Sequence, residues 1–570
     1  MSAEHSLPGL KLCCARASWV WAIVGVLVLV NVPLMLCMPL PADAVLYDLQ
    51  AKTALTGGVL YRDIVEPNLP GIVWCHMGIR SLFGWSEAAL KWVDLAIVAG
   101  IVTLLVQLIR RDRASHMVLA AFAFVVIGFY CSTPEWVHCQ RDIWLMLPAL
   151  AAFTLRLRRI DSSQTAAKWS VGLAVAEGLL WGCAFWIKPY VAVPAATAVL
   201  MSLLLQRSAG RTWTSLAAQV AAVVTGGALA GVAGSLWLMA AGVWPHFWEQ
   251  MLEWNPVYFA NGRDRWTVSQ YLSLSRDLAP WCLVHVVALP VAIAVVWRGL
   301  KDRQLFPLPA ESDANGERSL VLKSRGAVML AGLYLGWMFQ AHFLQHPFHY
   351  CHTPTVMLAA ALLAMTWPFT VASRRIASLA FAGAMAVAVL TAPCFDPNRL
   401  AWWPDCVTRG AAPDVKCALH HRNLPNWVEL QPVVDFLKAQ DLKDGELTAY
   451  NVFLVHLYPE VGVRPSTRYV FLDVLMQVFH AQSDAIYDSL ANSPQRFVVC
   501  SLLENGMSPG DIAAAGPGVH QSLPPGFPAE RAGEFPYCLP LVFRSGQYVV
   551  YRVDRPIGEL NTRLRPLAVK

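Results

Sequence analysis

Asp43, Asp63 and Glu66 are three of the carboxylates in the stretch from residue 43 to residue 71, and their residue types could do acid-base chemistry. A carboxylate at a partly desolvated interface can be tuned to accept a proton from an attacking hydroxyl. The pattern predicts acid-base chemistry with Asp43 as the base, and with Asp63 and Glu66 assisting it or shaping a pocket. Two simpler interpretations stay open. Asp43 can be the N-cap of a helix, and turn chemistry can explain the other two.

A fourth candidate carboxylate, Asp142, follows Arg141 at the start of a later apolar segment. A carboxylate at a membrane boundary is a functional candidate by default. The alternative is an Arg141–Asp142 pair that only anchors the segment at the interface.

Cationic side chains form a second set of candidates, because a departing anion needs fixed positive charge. The four candidates for an anion site are Lys188, Arg141, Arg263 and Arg265. For each of them the alternative is that it extends toward lipid headgroups.

Aromatic and histidine side chains complete the candidate list, with Tyr61 in the first stretch and His349, Tyr350 and His352 late in the chain. Together with His346, the two histidines could bind a metal or contact a phosphate. No metal and no cofactor is assigned from the sequence, and a divalent metal at the histidines is an alternative left open.

The elements that carry these residues are apolar helices. The chain has 570 residues, of which 56% are hydrophobic and 14% charged, with a mean hydropathy of +0.45. Soluble domains have roughly 25% charged residues, so a membrane protein is indicated. About eleven segments have the roughly 17–25 apolar residues that cross a bilayer as a helix, namely 18–38, 89–109, 116–132, 142–157, 169–187, 190–206, 214–243, 279–297, 326–343, 354–371 and 376–393.

The chain is predicted to divide into a membrane region, residues 1–393, and a small α/β domain, residues 394–570. In the second region, 427–437 has helical periodicity, 447–457 and 469–475 are rich in β-branched and aromatic residues, and 496–502 and 547–553 alternate like strands. Between the first two spans lies a long external loop. An amphipathic helix at the membrane surface is expected there, starting at Asp43 and ending at Gly57.

Basic residues indicate the orientation, because Lys and Arg near span ends stay on the cytoplasmic side. Basic clusters such as 110–113 and 156–159 lie in one set of alternating loops. This places the amino terminus inside, and the long loop and residues 394–570 outside. The same bias accounts for much of the net charge of +6, so no nucleic-acid partner is expected.

The long loop resembles that of a known family. Asp43, a helix, Gly57-Gly58, Tyr61-Arg62-Asp63 and an acidic residue before a Pro-Gly turn are similar to the first external loop of GT-C glycosyltransferases, such as protein O-mannosyltransferases and aminoarabinose transferases. Further matches are Gln140-Arg141-Asp142, Lys188-Pro189-Tyr190 and the segment 349–352. In one respect the loop departs from the family, because it has a single Asp43 where many members have paired Asp-Glu.

The resemblance implies a polytopic enzyme of a bacterial inner membrane that transfers a sugar from a polyprenyl-phosphate donor to a hydroxyl of a glycan, lipid or protein. In that context Asp43 matches the family's base. The expected partners are the lipid-linked donor, the acceptor and membrane lipids. No Gly-rich nucleotide-binding loop is present, which favours a lipid-linked donor over a soluble one.

Two other functions fit the same segments. A transporter or flippase of lipid-linked saccharides also has many spans, but such proteins usually show repeated halves and interrupted helices, and the sequence shows no repeat. The third interpretation is a non-catalytic assembly subunit, whose loop carboxylates would be replaceable.

Overall fold

The structure is a computed structural model, and it describes residues 8–112, 114–161, 167–264, 267–301, 325–367, 371–421, 424–514, 519–555 and 557.

Long helices dominate the chain up to residue 391. The α-helices of this part, long and short, are in chain order α1 (Pro8–Cys37), α2 (Ala42–Leu55), α3 (Gly71–Phe83), α4 (Glu87–Arg111), α5 (His116–Ser132), α6 (Arg141–Trp144), α7 (Met146–Asp161), α8 (Ala167–Ile187), α9 (Ala192–Ser208), α10 (Trp213–Ala240), α11 (Trp244–Glu249), α12 (Asn255–Asp264), α13 (Val268–Asp277), α14 (Val284–Lys301), α15 (Arg325–Phe343), α16 (His349–Thr366) and α17 (Val371–Thr391).

The elements that follow are shorter. The helices are α18 (Pro397–Leu400), α19 (Trp403–Thr408), α20 (Pro413–Leu419), α21 (Trp427–Lys438), α22 (Leu457–Val461), α23 (Leu472–Val478), α24 (Ser483–Ala491) and α25 (Pro509–Ala514). The strands are β1 (Leu447–Ala449), β2 (Phe497–Ser501), β3 (Val519–His520), β4 (Leu541–Ser545) and β5 (Tyr548–Arg552). Single turns of 3₁₀ helix include Val452–His456, and Gln250–Trp254 is a π-helical turn.

Each of the eleven segments predicted as spans contains a helix. Helices are expected there because an apolar run in lipid must satisfy its backbone hydrogen bonds internally. Within the described residues, five helical segments are long and apolar enough to cross a membrane: Trp19–Cys37, Glu87–Arg111, Pro189–Ser208, Trp213–Ala240 and Trp281–Lys301. The chain is therefore an integral membrane protein, whereas the count of eleven spans stays a prediction.

The chain forms two compact units. The first comprises Met1–Leu36, Ser86–Gly234 and Arg265–Thr408. Within it α15 packs against α9, α14 and α16, and most of α15 is buried, including Tyr334 and Trp337. This helix forms the centre of the first unit.

Close backbone contact joins α8 and α10 in the first unit. A Cβ atom added at Gly178 would collide with the carbonyl of Val223, and one added at Gly226 would collide with the carbonyl of Val175. Small residues that allow two backbones to approach are typical of helix packing in membranes, where van der Waals contact replaces the hydrophobic effect.

The second unit comprises Cys37–Trp85, Ser235–Asp264 and Arg409–Lys570. Its sheet has the strand order β1-β2-β5-β4-β3. β1 and β2 are parallel, and the other pairs are antiparallel, with Val499 opposite Val550 at the centre. β2 is buried along its whole length. Helix α21 packs against β4 and β5, which confirms a small sheet with helices near the carboxyl terminus.

Composition alone does not decide the conformation of two segments in this sheet region. The segment 469–475, rich in aromatic and β-branched residues, enters helix α23 instead of forming a strand, and 447–457 is extended only over β1 before it turns into 3₁₀ and α-helix. The side chains of α23 are buried in an apolar cluster with Phe479 and Tyr551. Propensity for β structure depends on such packing more than on the residue itself. The predicted helix at 427–437 and strands at 496–502 and 547–553 are confirmed as α21, β2 and β5.

Helix α2 is present where the long loop predicted it, but its surroundings differ from the expectation. Gly57 follows it with a φ of +88°, which few residues other than glycine adopt. Val45, Leu46, Tyr47 and Leu49 are buried within the protein, so much of the apolar surface of the helix faces protein.

Candidate active site

Asp43 lies in the first turn of α2, as its second residue. The N-cap position belongs to Pro41, and no side chain caps the helix, so the interpretation of Asp43 as the N-cap is wrong. A carboxylate in the first turn still interacts favourably with the helix dipole. Asp43 is partly buried, between the fully buried neighbours Ala42 and Ala44.

A second carboxylate of α2, Asp48, is the centre of a polar cluster that the sequence did not reveal. Its Oδ1 accepts hydrogen bonds from Arg80 Nε and is in contact with His76 Nδ1, both at 2.8 Å, and Arg80 Nη2 donates to Oδ2. Burial raises the pKa of Asp48, but the hydrogen bonds and positive charge of Arg80 and His76 outweigh it and leave the pKa lowered. His76 and Arg80 lie one turn apart on α3, an i,i+4 spacing that places them on one face.

Asp63 and Glu66 lie in the turn that follows α2. Asp63 accepts hydrogen bonds from the backbone of Val59 at 2.7 Å and from Arg62 Nε at 2.7 Å. The bond from Arg62 is the main reason that the pKa of Asp63 is lowered. Glu66 accepts a bond from Asn68. These contacts are the ones expected for residues that shape a turn.

Tyr61 is buried in the same turn and has a φ of +66°, which is uncommon for a bulky residue. Its hydroxyl donates to the carbonyl of Asn68 at 2.7 Å, and its ring is 6.2 Å from that of Phe247. Burial raises the pKa of Tyr61 well above its usual value. Tyr61 therefore stabilises the turn that holds Asp63 and Glu66.

In the first unit the structure joins two of the predicted residues directly. Lys188 Nζ lies 2.8 and 2.7 Å from the two carboxylate oxygens of Asp142, and both side chains are buried. The same ammonium is 3.6 Å from Cys351 Sγ and 5.5 Å from the ring centre of Tyr350. The partner seen for Asp142 is thus Lys188. Arg141, beside Asp142 on α6, is buried too.

The late histidines have separate partners. His349 Nε2 is 2.9 Å from Asp277 Oδ2, whereas the His352 ring lies 4.6 Å from that of His342. His346 stacks on Phe348. Among the described residues no group of three or more His, Cys, Asp or Glu side chains is arranged to hold a metal ion.

The two remaining cations cannot be placed. Arg263 belongs to α12, but its side chain lies outside the described part of the structure, and Arg265 lies outside the described residues altogether.

Asp94 on α4 is a further buried carboxylate that the sequence did not single out. It accepts hydrogen bonds from the Tyr130 hydroxyl at 2.5 Å, the Cys139 amide at 3.0 Å and Trp144 Nε1 at 2.7 Å. These bonds tie α4 to α5 and to the residues that lead into α6. Asp94 therefore holds α6, the helix that carries Asp142, in position. The sequence did contain a signal for Asp94, because a carboxylate inside a predicted span is a functional candidate.

Comparison with known proteins shows the fold. No family model matches the chain, and no curated protein matches it. Among solved structures, ArnT from Cupriavidus metallidurans bound to undecaprenyl phosphate is similar over 94% of this chain and 98% of its own, with a TM-score of 0.52 and 14% sequence identity. The archaeal oligosaccharyltransferase AglB from Archaeoglobus fulgidus, in complex with an inhibitory peptide and a dolichol-phosphate, is matched over 85% of this chain and 70% of its own, with a TM-score of 0.45 and 10% identity.

The chain therefore has a fold similar to that of ArnT. The resemblance inferred from the first loop is confirmed at the level of the fold.

Proposed function

We propose that this protein is a glycosyltransferase that transfers a sugar from a polyprenyl-phosphate carrier to an acceptor hydroxyl at the outer face of the membrane. The observation that carries the proposal is the likeness to ArnT, a protein whose structure contains undecaprenyl phosphate, over 94% of this chain. By analogy of fold, the likeness along nearly the whole chain supports a polyprenyl-phosphate carrier for this protein too, while the sugar and the acceptor are left open.

The chemistry assigned to the first loop is general-base catalysis by Asp43. The acceptor hydroxyl attacks the anomeric carbon, its proton goes to the carboxylate, and the bond to the carrier phosphate breaks. Asp48 and Asp63 are weaker candidates, because contact with Arg80, His76 or Arg62 lowers their pKa values and so their affinity for a proton. Glu66 and Asp142 are kept as assisting groups.

The departing phosphate is assigned to the cations Arg141, Lys188, Arg263 and Arg265. Lys188 is a special case, because Asp142 already neutralises it at 2.7 Å. In that pair Lys188 would share its charge between the Asp142 carboxylate and the phosphate. We therefore assign Lys188 a second role, which is to hold the Asp142 carboxylate in position on α6. Tyr350, whose ring faces the Lys188 ammonium at 5.5 Å, and His349 and His352 are the next candidates for contact with the donor.

The proposed topology has eleven spans, a cytoplasmic amino terminus and an extracytoplasmic domain that follows residue 393. The basic clusters in alternating loops support this orientation. It places the first loop on the same side as the carboxyl-terminal domain, and in a bacterial cell the membrane would be the inner one.

The test is transfer by the purified protein in nanodiscs, supplied with a panel of polyprenyl-phosphate hexoses and pentoses. We expect release of polyprenyl phosphate and a glycosylated acceptor with at least one donor, and no turnover of nucleotide sugars. Movement of the intact lipid-linked sugar across the bilayer without transfer would replace this proposal with a flippase. Turnover of nucleotide sugars alone would contradict the donor class.

A further inference from the structure

A cavity of about 180 Å³ lies in the carboxyl-terminal part of the second unit. Among its lining residues Leu502, Met507 and Tyr537 are buried, whereas Ser508 and Asp511 are exposed. No residue assigned above to catalysis or donor binding lines it. The cavity is therefore a feature that the proposed transfer reaction does not use.

Arg531 provides the positive charge of the cavity wall. Its Nη1 donates to the carbonyl of Asn505 at 2.6 Å, and its Nη2 lies 3.5 Å from the Tyr537 hydroxyl. The Nε atom is buried and makes no hydrogen bond within the described residues, although Glu534 is 3.7 Å away. Arg531 is thus held in place while part of its hydrogen-bonding capacity is unused.

An acidic side chain and a hydroxyl side chain also line the cavity. Asp511 accepts a hydrogen bond from the Ser508 hydroxyl at 2.7 Å, and its own backbone amide donates to that hydroxyl at 3.1 Å. Because Asp511 is exposed, its carboxylate can accept further hydrogen bonds. A cavity with Asp511 and Arg531 on its walls suits neither a simple anion nor a simple cation.

Aromatic rings complete the lining. Phe527 and Tyr537 lie with ring centres 4.8 Å apart and planes inclined by 56°, and the Arg531 guanidinium is 5.1 Å from the Tyr537 ring centre. Flat apolar faces beside donors and acceptors match a sugar ring, which has a face of C–H groups and a rim of hydroxyls. The volume is below the roughly 300–1,000 Å³ of drug-sized sites, which limits the ligand to about one ring.

We propose that this cavity binds one saccharide unit of a glycan, with its apolar face on Phe527 and its hydroxyls bonded to Asp511 and Arg531. The proposal goes beyond the proposed function, because binding here requires no transfer. The saccharide could belong to a free glycan or to a lipid-linked one. The common element is the sugar ring, and the experiment below separates the two sources.

The test uses the purified full-length protein in nanodiscs and saturation-transfer NMR with methyl glycosides of neutral hexoses, amino sugars and uronic acids. We expect saturable binding of at least one glycoside, weakened about tenfold by Phe527→Ala or Asp511→Asn, the scale of a lost ring contact or charged hydrogen bond. Asp488→Asn, an exposed change on α24 outside the cavity, should leave binding unchanged.

Three results would overturn the inference. One is that no glycoside binds to a protein whose unfolding temperature is normal. Another is that both cavity variants bind as tightly as the wild type. The third is that sugars bind only when attached to polyprenyl phosphate and bind the Phe527→Ala variant equally well, which would place them in the donor site. Because transfer is not measured, failure here leaves the proposed function untouched.

Discussion

The carboxylates of the first loop have the same chemistry and different surroundings. Asp48 is enclosed by Arg80 and His76, whose side chains are 1% and 0% exposed, and Asp63 is paired with Arg62. A carboxylate stabilised in its charged form is a poor proton acceptor. The surroundings therefore give Asp48 a structural role between α2 and α3, and they favour a base elsewhere in the loop.

The Lys188–Asp142 pair provides a prediction about buried charge. Lys188→Met would leave the Asp142 carboxylate buried and unpaired, which typically costs about 3–5 kcal/mol of stability. The double variant Lys188→Met with Asp142→Asn should recover most of that loss, as measured by denaturant or thermal unfolding in detergent. Equal stability of the single and double variants would contradict the pairing.

The same variants separate structure from donor binding. If Lys188 also contacts the donor phosphate, the double variant will be stable and will still have a raised KM for the lipid-linked sugar. If its stability and KM are both normal, the ammonium serves only Asp142.

Glu504 and Asp473 provide a prediction about pH. Burial raises the pKa of Glu504 to about 8, with a contribution from the charge of Asp473, and burial raises that of Asp473 to about 6. The folded protein thus holds protons that the unfolded chain releases. The contribution of these groups to stability is therefore greatest at low pH, and that of Glu504 is lost as the pH rises from about 4.5, its ordinary pKa, to about 8.

Glu504→Gln should remove the part of this slope that belongs to Glu504. The variant is expected to match the wild type near pH 4.5 and to be more stable at pH 8, as measured by hydrogen exchange in β1, β2 and β5. Asp488→Asn on the surface is the control and should follow the wild type. A variant whose pH dependence is identical to that of the wild type would show that Glu504 is ionised in the folded protein.

At the scale of elements, the helices could be predicted because the length of an apolar run and the thickness of a bilayer determine them together. Gly57 also marked the end of α2 correctly. The conformation of 469–475 could not be judged from its composition, because its side chains are buried in a cluster with Phe479 and Tyr551 that the sequence does not show. The contact between Lys188 and Asp142 could not be predicted from the sequence either, because the two residues are 46 positions apart.

The contact between α8 and α10 leads to a prediction about packing. Gly178→Ala places a methyl group against the carbonyl of Val223. Overpacking of this kind typically costs about 1–3 kcal/mol, so we expect a lower unfolding temperature and a lower yield in detergent. Gly172→Ala on the same helix meets open space and should be neutral or stabilising. Similar losses in both variants would argue against the close contact.

At the scale of the whole molecule, the first loop and the carboxyl-terminal residues belong to the same compact unit. The amide of Val65 donates to the Arg468 carbonyl at 2.8 Å, and Arg464 Nη2 donates to Thr56 Oγ1 at 2.9 Å. The sequence could not show this association, because the partners are separated by some four hundred residues. The division at residue 393 stays a prediction of where the membrane region ends.

The orientation of the chain leads to a prediction on whole cells. Protease added to sealed cells whose outer face is accessible should cleave residues 394–570, and a tag at the amino terminus should be protected until the membrane is opened. The reverse pattern would place the first loop in the cytoplasm and would contradict a reaction on the outer face.

The central claim is that Asp43 is the catalytic base, and one substitution tests it most directly. Asp43→Asn keeps the size of the side chain and removes the basic group. Asp484→Asn is the matched control, because Asp484 is also the second residue of a helix and loses the same favourable interaction with the helix dipole, about 0.3–1 kcal/mol.

The measurement is the rate of transfer from a polyprenyl-phosphate sugar by both variants at equal expression and equal unfolding temperature. We predict a loss of about 10²–10⁴-fold for Asp43→Asn, the usual contribution of a general base, and normal transfer for Asp484→Asn. A folded Asp43→Asn protein that keeps more than roughly a tenth of the wild-type rate would contradict the account, given that same scale.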